Sequence, residues 1–170
     1  MNNSILLERL KWRMIEWESG CPQRIQHFLK VASFAVTIAR GEGADEHTLF
    51  LAEAAGYIHD IGIRISYDRD GRSDGKSQEC YGEPAAKEML AEIGFAPDDA
   101  ETVSRYVGKH HSYDAEIPDL VFRILLEADA CVNMFEHAGV SDGARLEMLR
   151  NVFRTETGKK LYTTMFGLSV

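Results

Sequence analysis

Apolar residues recur at three- and four-residue steps along most of this sequence, as they do in helices that bury one face. The pattern predicts helices over about residues 4–18, 22–40, 48–61, 84–93, 97–111 and 118–137, followed by a helical remainder that closes the bundle. No segment alternates apolar and polar residues as a half-buried strand does. We therefore expect an all-α protein, a single compact domain over residues 1–170 with about six to eight helices.

A polar stretch over residues 64–76 interrupts this pattern. It holds Gly71 and Gly75 among charged residues, which is typical of a long loop. Long loops beside a site often act as lids, whereas others are solvated surface. The sequence leaves both interpretations open.

An apolar helix runs into the dipeptide His59-Asp60 and is expected to stop at Gly62. The helical register places His59 on or beside the buried face. Asp60 stands in the last turn, where the negative end of the helix dipole disfavours a carboxylate. A bound cation would make that carboxylate favourable. The alternative is a buried histidine next to an ordinary exposed aspartate.

Two more candidate ligands lie on inward faces of other predicted helices. His27 belongs to the apolar stripe of the second helix. Asp129 shares a face with apolar residues such as Leu125, where a carboxylate is desolvated at a considerable cost unless a cation or hydrogen-bond donors compensate. Glu127 differs, because Arg123 four residues earlier predicts an ordinary surface ion pair.

The set formed by His27, His59, Asp60 and Asp129 offers two neutral nitrogens and two carboxylates from three helices. Such a mixed set suits a divalent iron, manganese, nickel, cobalt or zinc ion, and its carboxylates leave magnesium open. Four protein ligands on a six-coordinate ion leave room for water, which a metal ion can convert into a nucleophile. The pattern therefore predicts a metal site with hydrolytic potential.

Composition narrows the class of protein. The 170 residues carry a formal net charge of -8, which argues against general binding to nucleic acids or anionic membranes. The three cysteines are far apart in the sequence and include no C-x-x-C pair, which argues against a disulfide framework and against a thiolate zinc site. Because proteins without disulfides are typical of a reducing compartment, we expect a cytoplasmic protein. No signal peptide or membrane span fits the sequence, and a homo-oligomer is left open.

The order of the candidate ligands resembles the H…HD…D signature of the HD-domain superfamily of metal-dependent phosphohydrolases. His27, the H-D-I-G sequence at residues 59–62 and Asp129 carry the resemblance, which extends over about residues 23–133. It implies an all-helical domain in which those two histidines and two aspartates hold the metal. It also implies hydrolysis of a small phosphate ester, frequently a nucleotide.

Binuclear members of that superfamily typically add histidines between the H-D pair and the last aspartate. His110, with His111, matches the later of these positions, whereas the earlier one, expected just before Gly82, is absent. Glu79 could supply an oxygen ligand in its place. The resemblance therefore leaves one or two metal ions open.

A mechanistic hypothesis follows from these assignments. Asp60 would hold or bridge metal, and His110 would bind a second ion or assist proton transfer. Arg24, Lys76 and Lys109 are candidates to neutralise the phosphate of the substrate.

Two other functions compete with hydrolysis. Some HD-like proteins are mixed-valent diiron oxygenases, which redox-active iron and dioxygen consumption would reveal. The chain could instead be a metal-stabilised ligand-binding or regulatory module without turnover. An assay panel of nucleotides and phosphate esters with several metals separates a hydrolase from a binder.

Overall fold

A computed structural model describes residues 2–111 and 119–169 of the chain. Those residues form helices and connecting turns without a strand, so the all-α prediction is confirmed. The helices of the described residues are α1 Asn3–Trp17, α2 Pro22–Gly41, α3 Glu46–Ile58, α4 Gly62–Asp70, α5 Gly75–Ile93, α6 Pro97–Val107, α7 Leu120–Glu136, α8 Asp142–Val152 and α9 Glu156–Phe166.

Helices α2, α3 and α7 pack against one another at the centre of the fold. Helix α3 is apolar around most of its circumference, and from Phe50 to Ile58 every residue except the half-buried Glu53 is buried. Small residues let the backbones approach closely: a side chain at Gly56 of α3 would overlap the backbone of Ala32 in α2. This contact lies near His27 in α2 and His59 at the end of α3, so it holds the two histidines at one level of the bundle.

The predicted loop over residues 64–76 is wrong, because α4 occupies its first half and α5 begins at Gly75. Gly62 opens α4 instead of stopping α3, since its bare backbone packs against the carbonyl oxygen of Gln78 in α5. Only the short turn at residues 71–74 joins the two helices. A hinged lid made from a long loop is therefore absent from this segment, all of which the structure describes.

The predicted start of the next helix at Pro84 is also wrong. Asp74 accepts a hydrogen bond from the backbone N–H of Ser77, and the Ser77 hydroxyl accepts one from the N–H of Asp74. This reciprocal cap starts α5 at Gly75, and Pro84 lies exposed inside the helix. The predicted helix start at Pro118 lies outside the described residues.

The C-terminal helices α8 and α9 pack on α7 around a second apolar cluster that includes Cys131, Phe153 and Tyr162. Glu127 joins α7 to the start of α9. Its fully buried carboxylate accepts hydrogen bonds from the backbone N–H groups of Arg154 and Thr155 and from the Thr155 hydroxyl. The predicted surface pairing of Glu127 is therefore wrong, because the partner groups come from a distant part of the sequence.

Helices in the described ranges include none with the length and apolar character that a membrane crossing requires.

Candidate metal centre

The predicted ligands converge at one place in the core. His27 comes from α2, His59 and Asp60 from the turn between α3 and α4, and Asp129 from α7. Both imidazoles and the Asp129 carboxylate are buried, while the Asp60 side chain keeps 14% of its surface exposed. The arrangement therefore has a closed inner side and an opening at Asp60.

The ligand atoms of this first group lie at the spacing that one ion requires. Nε2 of His27 is 3.2 Å from Nε2 of His59 and 3.6 Å from Oδ2 of Asp60, which is 3.5 Å from Nε2 of His59. Oδ1 of Asp129 is 3.2 Å from the His27 nitrogen and 3.4 Å from the His59 nitrogen. Ligands about 2.1 Å from a common ion lie about 3.0–3.4 Å apart in octahedral or tetrahedral geometry. The distances among His27, His59 and Asp60 are close to this range, and these three residues form a cluster that could hold a metal. Asp129 lies within the range from both imidazoles.

A second group shares Asp60 with the first. Oδ1 of Asp60 is 2.9 Å from Nε2 of His110 and 3.7 Å from Nε2 of His111, and the three residues form a further cluster that could hold a metal. His110 is buried, whereas His111 is 29% exposed. The two oxygens of Asp60 thus face different groups of ligands.

His27, His59 and His110 all direct Nε2 into the cluster, because an oxygen atom lies within hydrogen-bond distance of Nδ1 in each of them. Nδ1–H of His59 donates to the carbonyl of Gly56 at 3.1 Å, and Nδ1–H of His110 donates to the carbonyl of Val107 at 2.8 Å. Nδ1 of His27 lies 2.8 Å from Oε2 of Glu136. These acceptors favour the tautomer in which the Nε2 lone pair points into the site, as metal-binding histidines require.

Asp129 shows most clearly that the cluster suits a cation. Its Oδ2 accepts a hydrogen bond from the Asn133 amide at 2.9 Å. Its buried Oδ1 makes no well-aligned hydrogen bond to the described residues and faces only the Nε2 atoms of His27 and His59, at 3.2 Å and 3.4 Å. A buried carboxylate oxygen is costly when the groups that face it are neutral imidazoles. A metal ion between Asp129 and the two imidazoles would compensate for that cost.

The charges of the cluster are strongly coupled. Burial disfavours ionisation of Asp60 and Asp129, yet the neighbouring histidines hold the pKa of both carboxyls below the usual range. Burial also disfavours the charged form of His27, but Asp129, Asp60 and Glu136 outweigh it and raise the His27 pKa to about 9. When no metal is bound, protonated His27 therefore balances part of the negative charge of Asp129, Asp60 and Glu136.

The pKa values of the two histidines of the second group, His110 and His111, shift in opposite directions. Burial opposes protonation of His110, but the carboxylate of Asp60 outweighs it and raises the pKa of His110. Burial and the neighbouring His110 lower the pKa of His111. The buried imidazole is therefore easier to protonate than the half-buried one.

Glu79 lies beside this group but outside the cluster of ligand atoms. Its Oε1 accepts a hydrogen bond from the backbone N–H of His111 at 2.9 Å, so it orients the histidine segment. The amide oxygen Oε1 of Gln78 lies 2.6 Å from Nε2 of His111 and accepts a hydrogen bond from Nε2–H. The use of Glu79 as a replacement ligand stays a prediction, because this hydrogen bond engages only one of its two carboxylate oxygens.

The role of Arg24, Lys76 and Lys109 in neutralising a phosphate stays a prediction, and the structure describes only their surroundings. Nε of Arg24 lies 2.5 Å from Oε2 of the buried Glu18, so this guanidinium is engaged in an ion pair. Lys76 and Lys109 are exposed. None of these three side chains lines the cleft described next.

A cleft of about 760 Å³ opens beside the cluster. Asp60, His111 and Gln78 lie on one side of it, and residues of α7, α8 and their connection lie on the other. Its volume is within the range of small-molecule sites. The exposed edge of Asp60 therefore faces a space large enough for a substrate.

Sequence reasoning missed two residues of this site. In the sequence, Glu136 looks like an ordinary solvated residue near the end of a helix. Its contact with His27 joins residues 109 positions apart, so no local pattern predicts it. Gln78 lies in the segment predicted to be a loop. A histidine on an inward helical stripe is a signal to search for an oxygen partner at its second nitrogen, but sequence alone does not identify that partner.

Residues 24–134 match the model of the HD domain family, which covers more than half of the chain. A similar solved structure is the crystal structure of a predicted HD superfamily hydrolase from an uncultured Thermotogales bacterium. It is 24% identical with a TM-score of 0.69, and the alignment covers 98% of this chain and 92% of that one, which supports the fold. No match was found among the curated proteins. The matched range also includes the positions of all four candidate ligands of the first group. Because the family model matches more than half of the chain, this chain belongs to the HD-domain family.

Proposed function

We propose that this protein is a metal-dependent phosphohydrolase that acts on a small phosphate ester of the nucleotide class. The observation that carries the proposal is the buried Oδ1 of Asp129, which lies 3.2 Å and 3.4 Å from the Nε2 atoms of two imidazoles whose Nδ1 atoms face oxygen acceptors. His27, His59, Asp60 and Asp129 would hold one divalent ion. Asp60, His110 and His111 would hold a second.

A divalent ion bound here would supply positive charge beside a phosphoryl oxygen and lower the pKa of a water molecule. Hydrolysis adds that water across the P–O bond: its oxygen joins phosphorus, and a proton goes to the leaving alcohol. Asp60 orients the reacting side through its partly exposed carboxylate. His110, 2.9 Å from Asp60, would either complete the second group or accept a proton through this carboxylate.

The test is phosphate release from nucleotides and simple phosphate esters by chelated protein reloaded with manganese, cobalt, nickel, iron, zinc or magnesium. We expect turnover that depends on the added metal and is lost in Asp60→Asn. Absence of metal-dependent release from every ester, by protein that has taken up metal, would contradict the proposal and favour a non-catalytic binding module.

A diiron oxygenase is the second candidate, because the sharing of Asp60 by two groups of ligands would also suit two iron ions. Dioxygen uptake by iron-loaded protein separates the two reactions. We expect none above that of the chelated protein; uptake without phosphate release would favour the oxygenase.

We also propose a cytoplasmic protein that works as a single domain, with small molecules as its partners. Three free cysteines, of which Cys80 is exposed, support a reducing compartment. Cell fractionation tests the location: recovery outside the cytoplasmic fraction would contradict it.

A further inference from the structure

The cleft beside the metal centre has one wall that mixes polar and apolar side chains. Met134 and Met148 are among its apolar members, and its polar members among the described residues are Asn133, His137 and Ser141. This wall is formed by the end of α7, the following connection and α8. The hydrogen bonds of the three polar side chains show which of their atoms remain available to a bound molecule.

Asn133 and His137 continue the line of Asp129 along α7. The three residues are four positions apart, so they follow one another along one face of the helix at steps of about 6 Å. Asn133 donates from its amide nitrogen to Oδ2 of Asp129, a candidate metal ligand, at 2.9 Å. A substrate whose phosphate lies at the metal centre therefore meets Asn133 first and His137 about one helical turn farther out.

Asn133 and His137 each have one engaged polar atom and one acceptor that remains available. Because the amide nitrogen of Asn133 donates to Asp129, the other polar atom of its side chain is the acceptor Oδ1. Nδ1–H of His137 donates to the backbone carbonyl of Asn133 at 2.8 Å, so Nε2 of the neutral ring carries a lone pair. Among the described residues, no hydrogen bond reaches either acceptor.

Ser141 adds a hydrogen-bond donor to this wall. Its hydroxyl oxygen caps α8 by accepting a hydrogen bond from the N–H of Ala144 at 3.2 Å, and its O–H remains available to donate. The wall therefore presents two acceptors and one donor. A hydroxyl group can both donate and accept, whereas an ammonium group only donates and a carbonyl group only accepts. The set therefore matches a molecule that carries hydroxyl groups.

We propose that Asn133 and His137 determine specificity by accepting hydrogen bonds from hydroxyl groups on the alcohol part of the phosphate ester, and that Ser141 donates one to the same part. The inference rests on the proposed phosphohydrolase function and names its substrate class, which is esters of a hydroxylated alcohol such as a sugar. A ribonucleotide belongs to this class, because its ribose carries two neighbouring hydroxyl groups. His137 is the better residue to test, because Asn133 contacts a candidate metal ligand.

Adenosine monophosphate and dideoxyadenosine monophosphate form a matched pair of substrates, because they differ only in the two ribose hydroxyl groups. We expect kcat/KM of metal-loaded wild type to favour adenosine monophosphate by about tenfold or more, since a site that binds hydroxyl groups discriminates against analogues without them. His137→Phe removes one acceptor and should lower this preference by about fivefold. That change corresponds to about 1 kcal/mol, the size of one hydrogen bond between neutral groups. Equal or reversed values for wild type would overturn the proposal.

His47→Phe is the matched control, because His47 is an exposed histidine that pairs with Asp99 and does not line the cleft. It should keep the wild-type preference. The backbone N–H of His137 donates to the carbonyl of Asn133 at 3.0 Å, and this bond remains possible in His137→Phe, so the end of α7 should stay folded. If folded His137→Phe loses kcat/KM equally for both substrates, or keeps the wild-type preference, His137 does not bind a hydroxyl group of the substrate.

Calorimetric binding of the same two nucleotides separates this inference from the function on which it rests. If neither nucleotide is hydrolysed, but metal-loaded wild type binds adenosine monophosphate more tightly and His137→Phe loses the difference, the hydroxyl contact is supported and the phosphohydrolase function fails. If both are hydrolysed with equal kcat/KM, only the hydroxyl contact fails. If neither is hydrolysed and both bind equally, both levels of the proposal fail.

Discussion

Oε2 of Glu136 lies 2.8 Å from Nδ1 of His27, while Oε1 of the same carboxylate lies 2.5 Å from Nζ of Lys30. One glutamate at the end of α7 thus connects a surface lysine to a buried ligand of the candidate metal centre. The contact orients the imidazole and increases the basicity of its other nitrogen. Glu136 is therefore a positioning residue.

Replacement of Glu136 should weaken metal binding without abolishing it. Glu136→Ala is expected to reduce metal affinity by about 10- to 100-fold, the usual effect of losing an outer carboxylate. Glu136→Gln retains an oxygen acceptor for Nδ1–H and should lose less. Metal titration by isothermal calorimetry measures both.

Glu101 provides the control, because it forms a similar surface pair with Lys87 at 2.5 Å and its carboxylate binds no histidine in the contacts of the described residues. Glu101→Ala should bind metal as wild type does. If Glu136→Ala also retains wild-type affinity, Glu136 has no positioning role.

The protonation of His27 predicts how metal binding depends on pH. Its pKa of about 9 means that the metal-free imidazole carries a proton at neutral pH, and a metal must displace it. Apparent affinity should therefore rise by up to about tenfold per pH unit from pH 7 to about 9. Calorimetry in buffers of different ionisation enthalpy should detect proton release, and uptake independent of pH would contradict this expectation.

The raised pKa of His27 also predicts how the stability of the metal-free protein depends on pH. Folding raises the His27 pKa from 6.5 to about 9, so the stability contributed by protonated His27 is complete below pH 6.5 and is lost as pH rises through about 9. His110, whose pKa is also raised, acts with the same sign. The melting temperature of chelated protein should fall between pH 7 and 9.5, and His27→Gln should show a smaller decrease.

Glu127 should matter for stability but not for the metal. Glu127→Ala leaves buried donors of Arg154 and Thr155 without their acceptor and should lower the free energy of unfolding by about 2–4 kcal/mol. Denaturant unfolding measures the loss. Unchanged stability would show that water replaces the carboxylate, and a loss of metal affinity in the folded variant would show that α9 supports the metal centre.

Gly62 should be intolerant of a side chain. A methyl group there would overlap the carbonyl of Gln78, so Gly62→Ala should force α4 away from α5 and cost about 2–3 kcal/mol. A methyl group at Gly143 in α8 would meet only the Ser141 hydroxyl, at an ordinary contact distance of 3.8 Å, so Gly143→Ala should change stability by less than about 0.5 kcal/mol. Similar thermal unfolding of both variants would show that the Gly62 contact is not tight.

Helical periodicity was sufficient to place His27, His59 and Asp129 on inward faces, because the burial of a regular helix follows from local spacing. It did not predict α4, whose residues are mostly polar and whose position depends on the contact between Gly62 and α5. For the same reason it misassigned Glu127, whose local neighbour Arg123 suggested a surface pair while the actual donors lie in residues 154 and 155.

In the site too, residues that belong to a sequence motif could be predicted, whereas residues that contact the site from distant parts of the sequence could not. The resemblance to HD domains supplied the four candidate ligands in order, and the structure brings their side chains together. Glu136 and Gln78 contact histidines 109 and 33 positions away, so no local pattern in the sequence reports them. Arg24 has the charge expected of a phosphate ligand, but its partner is Glu18, which becomes buried only in the folded chain.

The most direct test of the central claim is the metal content of purified protein by mass spectrometry, for wild type, Asp129→Asn and Asp99→Asn. Asp99 is the control, because its carboxylate contacts His47 at 2.8 Å on the surface, away from the cluster. We predict one or two equivalents of a divalent metal in wild type and Asp99→Asn, and loss of most of it in folded Asp129→Asn. A wild type that cannot be loaded, or an Asp129→Asn variant that binds as much metal as wild type, would contradict the account.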